Sequence, residues 1–113
     1  MLSIGEKIFV ITRRLFKDEI PRHFFGEIQD ASEMAIRVCG YSFIFDNAIG
    51  EFVRREDLRT RFFSLIDAGF VIYVIPREVN IEDIRYSQNN MHQRVVTDGK
   101  AFIMNASEFG SSR

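Results

Sequence analysis

The stretch Thr60-Arg61-Phe62-Phe63-Ser64-Leu65-Ile66-Asp67-Ala68-Gly69-Phe70-Val71-Ile72-Tyr73-Val74-Ile75-Pro76 sets two apolar segments on either side of a short polar turn signal. Val, Ile, Tyr and Phe at this density suit a pleated surface buried on at least one side, so the stretch reads as a β-hairpin. A helical reading competes with it. Leu58, Phe62, Leu65 and Ile66 also fit helical spacing, with Glu56 and Asp57 in front and Gly69 behind as a C-cap, which would make residues 56–68 an amphipathic helix. The strand reading predicts a mostly β fold, the helical one an α+β fold.

Toward the N-terminus, Ile8-Phe9-Val10-Ile11-Thr12 is a β-branched run that ends at Arg13 and Arg14. Residues 17–23, polar and containing Pro21, read as a loop or a single helical turn. Phe24, Gly26 and Ile28 then share one face while Glu27 and Gln29 point the other way, the period of a half-buried strand. Asp30 to Glu33 supplies a turn. The run from Met34 to Phe45 is long for one straight strand, and Gly40 in its middle predicts a bulge or sharp bend. The apolar face changes there, from Met34, Ile36 and Val38 to Tyr41, Phe43 and Phe45, as an extra bulge residue would make it do. Residues 46–50 read as a loop, and Glu51 to Arg55 starts the approach to the central hairpin.

Toward the C-terminus, Asn80 is placed to cap a short helix with Glu82 and Asp83 in its first turn. Ser87 to Gln93 is the most linker-like stretch. Arg94 to Met104 reads as a second hairpin about a two-residue type I′ turn at Asp98-Gly99. The tail 108–113 is expected to fray. Together these segments predict six or seven short antiparallel strands, with at most one or two short helices, as a small bent-strand barrel or roll. One domain, 1–113, is expected at this length.

The segment Phe25-Gly26-Glu27-Ile28-Gln29-Asp30, continuing through Met34-Ala35-Ile36-Arg37-Val38, resembles the first motif of Sm-like proteins. Ile84-Arg85-Tyr86 resembles part of their second motif, with Tyr86 where that motif carries glycine. The resemblance implies a small SH3-like, bent five-stranded barrel of a kind that assembles into rings and binds single-stranded RNA. It assigns no RNA-binding residue in this chain.

Composition narrows the function classes. The chain has 113 residues, 46% hydrophobic and 27% charged, the balance of an ordinary folded domain. Twelve Phe against 3 Tyr and no Trp put most aromatic volume in rings without a hydrogen-bonding group, which suits packing. A net charge of -1 excludes a protein-wide positive field, so any nucleic-acid site must be a local patch. The single cysteine, Cys39, excludes an intramolecular disulfide framework and favours a reducing compartment. With no signal-peptide pattern and no membrane-spanning window, the expected location is the cytoplasm, and Asn105-Ala106-Ser107 is read as an incidental sequon.

Arg13, Arg14, Arg54, Arg55, Arg59 and Arg61 are the candidate binding residues, because arginine's planar fork suits two-pronged contact with phosphate. Glu51, Glu56 and Asp57 among them allow the alternative of a mixed-sign, solvated strand edge. His23 and His92, far apart in polar surroundings, read as surface residues without metal-ligand spacing, and Cys39 as a small buried residue. The acidic pairs at 18–19, 56–57 and 82–83 fit turns or helix starts. No phosphate loop, dinucleotide fingerprint or nucleophile elbow is present. The sequence thus predicts a non-enzymatic binding module without cofactor, metal or membrane partner, taking single-stranded RNA or DNA on its arginines. A protein-interaction or self-assembling homo-oligomeric module is the alternative.

Overall fold

A computed structural model describes residues 2–13, 21–66, 69–100 and 102–106. Among them nine strands form: β1 Lys7–Thr12, β2 Arg22–Ala31, β3 Ala35–Asp46, β4 Glu51–Arg54, β5 Arg59–Ser64, β6 Phe70–Ile75, β7 Arg85–Gln88, β8 Arg94–Thr97 and β9 Ile103–Asn105. The fold is mostly β. The segment that could have been helical is strand from Arg59 to Ser64, and the helical content of the described residues is one 3-10 turn, Ile81–Asp83. Asn80 starts that turn as expected, its side-chain oxygen accepting from the Glu82 N–H at 3.0 Å. No helix among these residues is long and apolar enough to cross a membrane.

Two antiparallel sheets make up the molecule. In the larger, β4 and β5 lie end to end along β3, which is followed by β2, β1 and β6. β4 pairs with the far half of β3, from Phe43↔Arg54 to Asp46↔Glu51, and β5 with its near half, from Ala35↔Ser64 to Gly40↔Arg59. The smaller sheet runs β7-β8-β9.

The central stretch is two strands, but it is not a hairpin. β5 bonds to β3, whereas β6 bonds to β1 from Lys7↔Ile75 to Thr12↔Phe70. The connection therefore joins the two outer edges of the sheet, and its turn residues 67 and 68 lie outside the described residues. Among the described residues no ladder joins β5 to β6. The edges nevertheless curl toward one another, for the rings of Phe63 and Phe70 meet edge to face at 5.1 Å. The sheet is a roll with one seam open.

A pair of glycines brings two of its strands into close contact. Gly26 on β2 stands opposite Gly40 on β3. A Cβ on Gly40 would lie 1.9 Å from the Phe25 carbonyl oxygen, and one on Gly26 would lie 2.6 Å from that of Cys39, so the strands approach where only glycine fits. The bulge expected at Gly40 is not there. Register is continuous from Val38 through Tyr41, and the irregularity sits on β2 between Ile28 and Asp30. The apolar face of β3 changes because its two halves are covered from opposite sides. Ile36 and Val38 join Ile8, Val10, Phe24, Ile28 and Phe63 inside the roll. Phe43 and Phe45 join Phe9, Phe25, Phe52 and Ile75 on the other face, against Ile84 and Val96 of the segment carrying the smaller sheet.

Polar contacts fasten the two layers. Lys7 Nζ donates to the carbonyls of Arg77 and Val79 at 2.8 and 2.6 Å, fixing the chain that leaves β6. Arg94 on β8 donates through Nε to Glu51 Oε1 at 3.0 Å and lies 5.3 and 5.4 Å from the Phe45 and Phe52 ring centres. Of the linker-like segment, Ser87 and Gln88 are strand in β7, and residues 89–93 make the turn to β8, with Asn89 Oδ1 accepting from the N–H groups of Met91 and Gln93. The β8–β9 hairpin exists with a longer loop than expected, because Thr97↔Ile103 is its last pair. Asp98 closes that loop by accepting from the N–H groups of Lys100 and Phe102, and these bonds hold its carboxyl below the usual range. The tail 108–113 lies outside the described residues.

Candidate functional site

Period-two geometry decides where each arginine goes. On β2, Arg22 is in phase with Phe24 and therefore faces the roll interior, as do Arg59 and Arg61 on β5, in phase with the buried Phe63. Arg55 extends β4 by one residue, its N–H donating to the Ser42 carbonyl at 2.8 Å, and it points opposite to Arg54. These four arginines line one cleft of about 400 Å³ at an end of the roll, together with His23, Ser42 and Ile44. The apolar core closes the bottom. Arg61 lies over Phe24 and Phe63, its guanidinium carbon 5.8 and 5.2 Å from the ring centres.

No carboxylate lines the cleft among the described residues. Asp57, exposed, approaches Arg59 at 3.6 Å, a surface contact that leaves most of the positive charge uncompensated. The crowding shows on Arg61. Burial first, then the charges of Arg22 and Arg59, push its guanidinium below the ordinary arginine range. It remains a cation at physiological pH. A concave surface with four forked donors of one sign is chemically an anion site.

Of the six arginines singled out in the sequence, the structure brings together Arg55, Arg59 and Arg61. Arg13 is exposed and lies outside the cleft lining; its N–H continues the β1–β6 pairing by donating to Gly69 O. Arg14 lies outside the described residues. Arg54 turns to the opposite face, 4.7 Å over the Tyr41 ring and donating to Glu82 O at 2.8 Å. Arg22 and Ser42 are the additions. The signal for Arg22 was its phase with Phe24, Gly26 and Ile28, hidden by reading residues 17–23 as a loop.

His23 is a correction, since it is buried and not on the surface. It sits in β2 in phase with Phe25, its ring stacked on Phe52 at 4.2 Å, and Nδ1 shares a hydrogen bond with the Tyr86 hydroxyl. Phe52 also stacks on Tyr86 at 4.6 Å, so the three rings tie β2, β4 and β7 together. Burial raises the Tyr86 hydroxyl well above the ordinary phenol value. His92 is exposed in the turn after β7. Cys39 is half-buried, because it takes the outward phase of β3 between Glu27 and Thr60. Of the acidic pairs, residues 18–19 lie outside the described residues, Glu56 and Asp57 are exposed, and Asp83 meets Lys100 at 3.3 Å. Among the described residues no group of three His, Cys, Asp or Glu side chains is placed to hold a metal ion.

Compared with protein-family models, with curated proteins and with solved structures, the chain matches none of them.

Proposed function

We propose that this protein is a non-enzymatic, cytoplasmic binding module that takes single-stranded nucleic acid, with phosphate held in the cleft of Arg22, Arg55, Arg59 and Arg61. The convergence of four arginines on one concave surface, with no carboxylate in its lining among the described residues, carries the reading. Overall charge supports it by contrast: at a net charge of -1 the molecule has no general attraction for polyanions, so positive charge gathered in one place is a local device. The roll of β1, β2, β3, β5 and β6 about a single apolar interior supports the Sm-like reading of the shape.

The test is a fluorescence-anisotropy titration of labelled single-stranded RNA and DNA at low salt. Binding that weakens with added salt, and falls about tenfold when Arg55→Ala and Arg59→Ala are combined, is the expected result. Both side chains are exposed, so their removal leaves the core intact. A flat titration overturns the reading. It would favour the second one, a module that assembles with itself or another protein, for which the exposed Met34, Leu58, Phe62 and Ile66 on and around β5 speak.

A further inference from the structure

The cleft also constrains which part of a nucleic acid it takes, an inference that rests on the reading above. Proteins that track the interior of a single strand combine a basic groove with exposed aromatic rings on which successive bases stack. Among the described residues the lining of this cleft offers no exposed ring, His23 being buried. Phe24 and Phe63 beneath it are 1% exposed and capped by Arg61. The exposed Phe62, one residue away on β5, is on the opposite face of that strand. What the cleft offers is hydrogen-bond donors and charge in one spot: four guanidinium groups and the Ser42 hydroxyl, above an apolar floor.

Those features suit a compact, highly charged end group better than a chain passing through. An internal phosphodiester carries one negative charge and two free oxygens. A terminal phosphate monoester carries about -1.5 to -2 at neutral pH and presents three acceptor oxygens, which matches converging forks. We propose that the cleft binds the terminal phosphate of a single-stranded nucleic acid, gripping the end of the strand and not its interior.

The experiment compares four unlabelled competitors against a labelled strand bound to the full chain: one oligonucleotide with a 5′-phosphate, with a 3′-phosphate, and with hydroxyls at both ends, and uridine monophosphate. One of the two phosphorylated strands should compete at least tenfold better than the hydroxyl-ended one, and the mononucleotide should compete more weakly than that strand. The advantage should shrink to within about twofold in Arg59→Ala, a change at an exposed side chain, with an unchanged circular dichroism spectrum showing that the fold persists. Equal competition by all three strands, with binding still weakened by Arg59→Ala, overturns end recognition while nucleic-acid binding stands. A mononucleotide as effective as the phosphorylated strand overturns the strand end as the ligand, and a probe that never binds defeats both readings.

Discussion

The hydroxyl of Tyr86 shows how one buried polar atom ties the layers together. It shares a hydrogen bond with His23 inside a stack whose other member is Phe52, so a residue of the smaller sheet is fixed to two strands of the larger. Tyr86→Phe keeps the ring and removes that bond, and it should cost about 1 kcal/mol in urea denaturation at neutral pH. The pH dependence follows from the raised phenol. Below its ordinary value of 10.0 the hydroxyl is protonated in both folded and unfolded chains, and its contribution is whole. As pH rises past that value the unfolded chain releases the proton first, so stability falls, by at most about 1.4 kcal/mol per pH unit for this group. The advantage of the wild type over Tyr86→Phe should therefore shrink between pH 10 and 11. A gap that stays constant through that range would show that burial does not hold the proton. His23 was unreadable at this scale because β2 is buried on both faces, and alternation in a strand covered on both sides marks neither face as the surface.

At the scale of elements, the opposed glycines at 26 and 40 let β2 and β3 approach closely, and two substitutions separate their role from ordinary glycine flexibility. Gly40→Ala would put a methyl carbon 1.9 Å from a backbone oxygen on β2. Strands held by ladders on both sides cannot move aside, so the expected loss is about 3 kcal/mol or more. Gly50, at φ +68° with nothing within 4 Å of the place a methyl group would take, is needed only for its backbone conformation. Gly50→Ala should cost roughly 1 to 2 kcal/mol. Denaturation midpoints in that order support steric closure at the glycine pair, and equal losses would refute it. The sequence made most of the strands legible because apolar alternation and turn residues are local signals, but β7 was missed, its Ser87 and Gln88 reading as linker. Pairing was not legible. Nothing in residues 60–76 says that β5 will bond to β3 and β6 to β1, since that choice depends on partner strands far away in the chain. The loop after β8 was misjudged for a related reason: Asp98 and Gly99 suit a two-residue turn, but the Asp98 side chain caps a wider one.

For the whole molecule, the question is how a chain of net charge -1 would attract a polyanion, and the answer lies in placement. The arginine-rich stretches were visible in the sequence, but convergence was not, because neighbours such as Arg54 and Arg55 leave a strand on opposite faces. With only four guanidinium groups in the cleft, the salt dependence of binding has a ceiling. Each phosphate charge neutralised on a single strand contributes about -0.7 to the slope of log K against log salt, so a grip on one terminal phosphate gives roughly -1 to -1.4, and four separate phosphate contacts would give at most roughly -3. Arg55→Ala should reduce the magnitude of that slope by up to about 0.7, while Arg54→Ala, on the other face, should leave it unchanged. Titrations between 50 and 200 mM salt would measure both, roughly the range over which counterion release is ordinarily read. A wild-type slope much steeper than -3 would mean that cations beyond the cleft also touch the strand. Equal effects of the two substitutions would mean that the protein meets nucleic acid through diffuse charge, which its overall composition disfavours.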